Sequence, residues 1–317
     1  MATTEKSEIL FLYETSYNIP NGDPFTGEQR YDEETKKILV SDVRMKRYVR
    51  TYLENTGETI FVTGEGSSTT AKSRLEDLAK SQADTNDIGE LMKKMIDVRL
   101  FGGISTLKAE ESKNIKVKIE NKEIGCVNGH VQYTGPVQFA LLNPSLNRVN
   151  MRMHQNTSHF TSSEEKAQGA IGTTIVVPYS VVQIHGWTNP AIAKETGMTD
   201  KDKQMLFQGL WYGTSGDGSS FSRSKIGQDS LLLLELVYAE PNKKVYGVDR
   251  LIKINIKDAD KKEEQIRSLD DFEFDFSKLI ETVKSDKVAK LRYYTEIDSI
   301  DKVLTDELGD KLEKISI

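Results

Sequence analysis

The sequence predicts an α+β fold with a ferredoxin-like, RRM-like core and a large arm. One observation is the order of predicted elements, which runs strand, helix, insertion, two strands, helix and strand. Another is residues 9–15, where both alternating sets of side chains are mostly apolar, as in a strand buried on both faces. We expect the two helices to cover one face of the sheet and to leave the other open for a ligand or a neighbour.

The arm is predicted at residues 143–172, which contain few bulky aliphatic side chains. Such a segment cannot bury enough surface to fold alone, so it is typical of an arm ordered by a partner or of a disordered loop. Residues 56–95 are predicted as an insertion projecting from the core, and residues 261–317 as an acidic, helical and peripheral segment. We expect one domain over residues 1–317.

The helix that follows the first strand is basic on one face. It comes after a turn at Asn21-Gly22-Asp23-Pro24, and Ser41 is its predicted N-cap. At 100° per residue the apolar face comprises Met45, Tyr48, Val49, Tyr52 and Leu53. The opposite face carries Lys46, Arg47 and Arg50. These cations repel one another by a few tenths of a kcal/mol per pair, roughly, and a polyanion would reverse that sign. A solvated basic face is the simpler alternative.

The net charge of −6 is concentrated at the C-terminal end. Residues 257–317 carry 17 acidic and 12 basic side chains, whereas the other 256 residues carry 32 and 31. A local basic surface is therefore compatible with the acidic total. The single cysteine, Cys126, allows no internal disulfide, suits a reducing cytoplasm and is predicted to be a small core residue. The sequence shows no apolar run of membrane-spanning length and no signal peptide at its start, so we expect a cytoplasmic protein without membrane contact.

Motifs for catalysis and cofactor binding are weak. The sequence contains no P-loop and no His-Glu-x-x-His, and His154 and His159 are expected to be exposed polar side chains rather than zinc ligands. Asp23 is the one carboxylate worth testing for catalysis, although a turn-forming role is favoured. We expect no metal and no cofactor.

Five stretches in the same order carry a family resemblance over residues 9–238. They are Asn21-Gly22-Asp23-Pro24 with the basic helix, residues 97–103 (DVRLFGG), residues 135–138 (GPVQ), residues 177–179 with His185-Gly186, and residues 222–228 (SRSKIGQ). Together they resemble the backbone subunit of type I CRISPR Cascade complexes, the seventh Cas family of the RAMP superfamily. The subtype I-B and I-C branch is the nearest.

The resemblance implies an RRM-like palm, a helical finger (56–95) and a thumb (143–172). Several copies would polymerise along one CRISPR guide RNA with other Cascade subunits, and target DNA would pair with the guide in antiviral defence. No catalytic group is required. The RNA contacts carried over by position are Asn21, Gly22, Lys46, Arg47, Arg50, Phe101, Arg148, Met151, Arg152, Met153, His154, Arg223 and Lys225. Met151 or Met153 would act as an apolar wedge, while Arg223 and Lys225 would close over the RNA from a glycine-rich loop.

Two enzymatic alternatives remain open. Type III relatives cut target RNA with an aspartate in the first loop, which would make Asp23 catalytic. A guide-processing ribonuclease would need a general base such as His154 or His159 near the RNA. A guide must be gripped through phosphate and sugar, because its bases must stay readable by DNA. The companion motifs favour the binding protein.

Overall fold

The computed structural model describes residues 5–63, 70–81, 84–119, 122–157, 171–215, 222 and 226–317. Within these ranges the helices are α1 (Asp42–Asn55), α2 (Ala71–Ser81), α3 (Ile88–Lys93), α4 (Ile96–Phe101), α5 (Ala109–Asn114), α6 (Pro190–Thr196), α7 (Asp200–Thr214), α8 (Ser277–Lys284) and α9 (Asp298–Leu308). The first eight strands described are β1 (Ser7–Asn18), β2 (Tyr31–Asp32), β3 (Lys37–Ser41), β4 (Gly102–Thr106), β5 (Lys116–Ile119), β6 (Lys122–Gly125), β7 (His130–Thr134) and β8 (Val137–Phe139). The remaining ones are β9 (Leu142–Pro144), β10 (Arg152–Thr157), β11 (Ile171–Thr188), β12 (Gln228–Tyr238), β13 (Lys253–Ile256), β14 (Phe272–Asp275), β15 (Val288–Tyr294) and β16 (Leu312–Lys314).

A mixed sheet forms the centre of the fold. Its strands lie in the order β10-β11-β1-β12-β15-β16, and β8 also pairs with β11. All these pairs are antiparallel except β15 with β16. On β1, Phe11 lies opposite Ile184 of β11 and Leu233 of β12. The prediction that residues 9–15 form a strand buried on both faces is confirmed.

Helices α1 and α7 cover one face of this sheet. Phe11 and Tyr13 of β1 share a hydrophobic core with Val49 of α1 and Leu210 of α7. The two helices approach closely, since a Cβ atom on Gly209 of α7 would lie 3.0 Å from the Val49 side chain. No helix in the described part of the chain is both long and apolar enough to cross a bilayer.

The second face of the sheet is covered as well, which corrects the expectation of an open face. Leu10 and Leu12 of β1 pack in a second core with Leu279 of α8 and Leu304 of α9. Residues 261–317 are also not wholly helical, because β14, β15 and β16 lie among them. The alternation of Phe272, Phe274 and Phe276 with acidic residues has the period of a strand, and the high charge of the segment obscured it.

The insertion after α1 has a small core of its own. Phe61, Leu75 of α2 and Leu91 of α3 pack there with Val117 of β5 and Cys126. The core therefore draws on residues well beyond 95. Cys126 is fully buried with a free thiol, and burial raises the pKa of that thiol. Its prediction as a core residue is confirmed.

Only part of the predicted arm stands apart from the core. Residues 143–149 pack against the sheet. The Asn143 side-chain amide donates to the Val40 carbonyl at 3.1 Å, and Val149 is buried in the main core, which is the core that the sheet forms with α1 and α7. The arm itself is the hairpin of β10 with the start of β11, in which Arg152 lies opposite Val176. Residues 158–170 of the predicted arm lie outside the described residues.

Candidate nucleic-acid interface

Helix α1 forms as its sequence pattern predicts. Ser41 is the N-cap, with its hydroxyl accepting from the Arg44 amide at 3.4 Å. The buried residues of the helix are Met45, Tyr48, Val49 and Leu53. The apolar stripe thus fixes which side of α1 faces the sheet, and so determines where its cations lie.

Two of the three cations meet over the ring of Phe101, at the end of α4. The Lys46 ammonium lies 5.9 Å from the ring centroid, and the Arg50 guanidinium carbon lies 5.3 Å from it. These distances permit cation–π attraction. Phe101 is itself only 7% exposed and tilts against Phe139 at 6.3 Å. The Phe101 ring therefore packs against the two cations and has little exposed surface for contact with a ligand.

Both of these cations are also anchored by acids. Arg50 Nε donates to Asp97 Oδ2 at 3.0 Å, and Asp97 is fully buried. Lys46 donates to Asp42 at 3.2 Å and to the Gln138 amide oxygen at 3.1 Å. Arg47 is exposed, and in the described part of the chain its side chain has no ion pair. Among the described residues, two of the three cations are thus paired with acids and Arg47 is not, so they differ from the equivalent cluster that the helical wheel suggested.

Glycines at two of the quoted motifs allow two backbones to touch beside Phe101. Gly102 has φ +78°, and a Cβ there would lie 2.2 Å from the Tyr133 carbonyl oxygen. A Cβ on Gly135 would lie 2.1 Å from the Phe101 carbonyl carbon. No side chain fits at either position. Gly102 and Gly135 therefore lie where two backbone segments approach closely.

The first loop is tied to the start of α1. Asn21 is 6% exposed, and its side-chain oxygen accepts from the Ser41 amide at 2.7 Å. The Asn21 amide donates to the Gln29 side chain at 2.7 Å, and Gly22 forms a β-bridge with Gln29. Asn21 therefore positions the loop beside the N-terminus of α1, and it has little free surface for a phosphate.

Asp23 has the geometry of a turn residue. Its Oδ1 accepts from the Phe25 amide at 2.9 Å, and its Oδ2 accepts from Arg30 at 2.7 Å. The hydrogen bond from the Phe25 amide is the main cause that lowers the Asp23 pKa, helped by Thr26 and Arg30. The carboxylate is therefore held ionised by local partners. Within the described residues, no three His, Cys, Asp or Glu side chains are grouped so as to hold a metal ion.

The paired strands β10 and the start of β11 carry a second group of predicted residues. Arg152, Met153 and His154 on β10 are exposed, Met153 by 67%, and they line a cavity of about 550 Å³. Met151 instead packs partly buried against the main core. Arg148 lies away from this cavity, where its amide donates to Glu263 at 2.8 Å. Arg223 and Lys225 lie outside the described residues.

The sequence analysis missed two residues that line this cavity of about 550 Å³. Tyr17 is 64% exposed and has φ +48°, an unusual backbone conformation for an aromatic residue. Arg267 comes from the C-terminal segment that was predicted to be peripheral. No signal in the sequence marks Arg267, whereas Tyr17 lies near the end of β1, shortly before the Asn21 turn.

Comparison with solved structures defines the class of fold. One similar chain belongs to a structure titled "CRISPR RNA-guided surveillance complex", with a TM-score of 0.52, 12% identity, and coverage of 98% of this chain and 95% of that chain. Another, titled "CRISPR RNA-guided surveillance complex, pre-nicking", has a TM-score of 0.51, 12% identity, and coverage of 98% and 96%. The fold is therefore one found in the chains of such complexes.

Sequence comparison identifies the family. The family model described as "CRISPR-associated protein Cas7" matches residues 5–277. A Haloferax volcanii protein named "CRISPR-associated protein Cas7" is 29% identical over 296 residues, which cover 90% of this chain and 84% of that protein. The chain belongs to the Cas7 family of CRISPR-associated proteins. The family resemblance carried by the five motifs is thereby confirmed.

Proposed function

We propose that this chain binds CRISPR guide RNA as the backbone subunit of a type I Cascade complex. Copies of the chain would polymerise along one guide, together with other Cascade subunits, and display it for pairing with target DNA in antiviral defence. The observation that carries the proposal is the family match over residues 5–277, which includes α1, the glycine motifs and the thumb hairpin. The I-B and I-C branch and the cytoplasm remain the expected subtype and compartment.

The α1 group would bind the phosphate backbone. Arg47 is free to pair with a phosphate, and Lys46 and Arg50 lie beside it on the same helix. Their acids leave them partly neutralised, so we assign the largest phosphate contribution to Arg47. Asn21 and Gly22 would shape the loop at the N-terminus of α1 rather than donate side chains. This grip reads no bases, which suits a guide whose sequence varies.

The thumb group would contact nucleotides by shape. The exposed Met153 offers an apolar wedge, and Arg152 and His154 lie next to it on β10. We also expect four other residues to lie near the RNA, namely Arg148, Met151, Arg223 and Lys225. Wedge and cations together would bend the strand and leave other bases open for pairing.

The proposal includes an RRM-like palm with finger and thumb insertions in a single domain. It is supported by the strand order β12-β1-β11-β10 and by the position of α1 and α7 on one face.

We also propose that the chain binds RNA without cleaving it. Asp23 is engaged by Arg30 and by two turn amides, which favours a structural role over cleavage of target RNA. A general-base role for His154 has no observation in its favour, and His159 lies outside the described residues.

Co-purification tests the proposal. The chain would be expressed with a CRISPR array and its partner subunits, purified, and examined for absorbance ratio and for RNA on a denaturing gel. We expect bound RNA of discrete length whose sequence comes from the array. The same preparation without the array is the control. Protein free of nucleic acid, or RNA of random cellular origin in both preparations, would contradict the proposed function.

A further inference from the structure

A second cavity lies on the face of the sheet away from α1. Gln183, His185 and Trp187 line it from alternate positions of β11, and the loop at residues 244–250 closes one side. His185 lies opposite Leu10, which packs in the core formed with α8 and α9. The cavity has a volume of about 530 Å³, a size typical of sites for small ligands. The proposed guide-RNA contacts do not use it.

Gln183 is a fixed part of the wall of this cavity. Gln183 is only 5% exposed, and its Nε2 atom donates a hydrogen bond to the Asp249 carbonyl at 2.6 Å. That bond fixes the orientation of the amide, because only the nitrogen can donate. Oε1 is buried and has no hydrogen-bond partner within the described part of the chain. Because Oε1 is closed off from the cavity, the Gln183 amide forms part of the wall and makes no contact with a ligand.

Aromatic rings form another wall. The His185 and Trp187 rings lie 4.1 Å apart, and Trp187 is 39% exposed. Tyr246, across the cavity, is 80% exposed, with the Lys244 ammonium 5.1 Å from its ring centroid. Exposed indole and phenol rings beside a cavity are suited to stacking on a planar heterocycle.

The charges at the cavity favour an anion. Lys37, Lys244 and Arg250 line it, against the acids Glu8 and Asp249. Both carboxylate oxygens of Glu8 are already engaged, one by His185 at 2.6 Å and the other by the Tyr238 hydroxyl at 2.5 Å. At the exposed rim, Asp249 Oδ1 lies 3.9 Å from Arg250 Nε. Cationic charge is therefore available to a ligand, while the buried acid is not.

We propose that this cavity binds a nucleotide, with the base against Trp187 and the phosphate near Lys244 and Arg250. The ligand must combine a planar ring and an anionic group, and a nucleotide has both. A protein neighbour could insert an arginine on Trp187, but the three cations at the cavity would repel it. A free nucleotide and one nucleotide of a strand share this chemistry.

Tryptophan fluorescence tests the site directly. The chain has two tryptophans, and Trp211 is buried at 4% exposure, so Trp211→Phe leaves Trp187 as the reporter in the cavity. The full-length W211F chain would be titrated with AMP, UMP, adenosine, and eight-nucleotide strands of A and of U. We expect saturable quenching by the monophosphates and about tenfold weaker binding of adenosine, which has no phosphate. Strands that quench where monophosphates do not would assign the site to a nucleotide within a strand.

A variant of the cavity decides the outcome. On the W211F background, Lys244→Glu with Arg250→Glu should weaken nucleotide binding about tenfold, because both changes remove cations that would face the phosphate. Lys302→Glu, an exposed lysine on α9, is the matched charge control and should bind as the parent does. Unaltered affinity in the cavity variant, or no quenching by any probe, would overturn the proposal. So would quenching that depends on protein concentration without nucleotide, since it would identify a second copy as the occupant. Monophosphate binding here does not depend on the guide-RNA proposal, so either can fail alone.

Discussion

Arg50 reaches from α1 to the start of α4, where its Nε lies 3.0 Å from Oδ2 of the fully buried Asp97. Asp97 also accepts from the amides of Phe61 and Val62, at 2.6 and 3.1 Å. One carboxylate thus joins the basic helix, the first residues of the insertion and the helix that ends at Phe101. The position of the proposed RNA interface and the stability of the insertion depend on the same buried group.

Asp97→Ala should destabilise the protein strongly. The change leaves Arg50 without its acid and the Phe61 and Val62 amides without their acceptor, and removing one partner of a buried pair costs about 3–5 kcal/mol. Urea denaturation measures the free energy of unfolding. Asp306→Ala, at an exposed position on α9, is the control and should stay within about 0.5 kcal/mol of the parent. A similar free energy for both variants would contradict the anchoring role of Asp97.

Arg47→Ala should weaken RNA binding without affecting the fold. Arg47 is exposed, so its loss removes a phosphate contact and should flatten the salt dependence of affinity by about 0.7 in slope. Replacing Lys46, Arg47 and Arg50 together should flatten it by up to about 2, but loss of Arg50 also strains the fold. Lys302→Ala is the control for a lost surface charge. An unchanged slope in the folded Arg47 variant would make that face of α1 a solvated surface.

Residues 143–149 should exchange their amide hydrogens slowly even in the RNA-free chain. The amides of Ser145, Leu146 and Val149 donate to the carbonyls of Ile38, Val181 and Lys36, at 3.0, 2.8 and 2.8 Å. These bonds attach the base of the predicted arm to the sheet. Hydrogen exchange with mass spectrometry reports their protection. Rapid exchange there would restore the original expectation that the whole of residues 143–172 is ordered only by a partner.

Asp23→Ala should not change the fate of target RNA. We expect wild type and variant, assembled on guide RNA, to leave a complementary RNA uncut with magnesium or with manganese. The Asp23 carboxylate is engaged by Arg30 and by turn amides, and among the described residues no three His, Cys, Asp or Glu side chains are grouped to hold a metal ion for cleavage. Gel analysis of labelled target RNA measures the result. Regularly spaced cuts that disappear in the variant would establish the type III-like alternative.

Asp202→Asn should lower the free energy of unfolding at neutral pH but much less at acid pH, where Asp202 itself becomes protonated. Burial alone would raise the Asp202 pKa, but hydrogen bonds from Arg99 and Thr199 outweigh it and lower the pKa below its ordinary 3.8. A lowered pKa in the folded state stabilises the protein above that ordinary value, and the effect is lost as pH falls through the folded value. Urea denaturation from pH 7 to 3 should show the variant less stable at pH 7 and the gap narrowing below about 3.8. A gap independent of pH would contradict the pairing with Arg99.

The sequence predicts those features that depend on local pattern. A run of mostly apolar residues identifies β1, helical periodicity identifies α1, and the glycines beside Phe101 occur where two backbone segments approach closely. Pairing between distant residues leaves no such pattern. The Arg50–Asp97 bond and the Gln183 cavity arise from segments that meet only in the folded chain. The cover on the second face was missed because alternating phenylalanines in residues 272–276 are interspersed with charged residues.

The place of β1 in the sheet has a consequence for how the chain is made. Phe11 leaves the ribosome early, yet both of its partners, Ile184 and Leu233, are translated long afterwards. Until β12 has emerged, a strand that is apolar on both sides has no completed sheet to enter. A nascent chain must therefore keep this strand protected through most of translation, and release of fragments that end before residue 228 would expose it to aggregation.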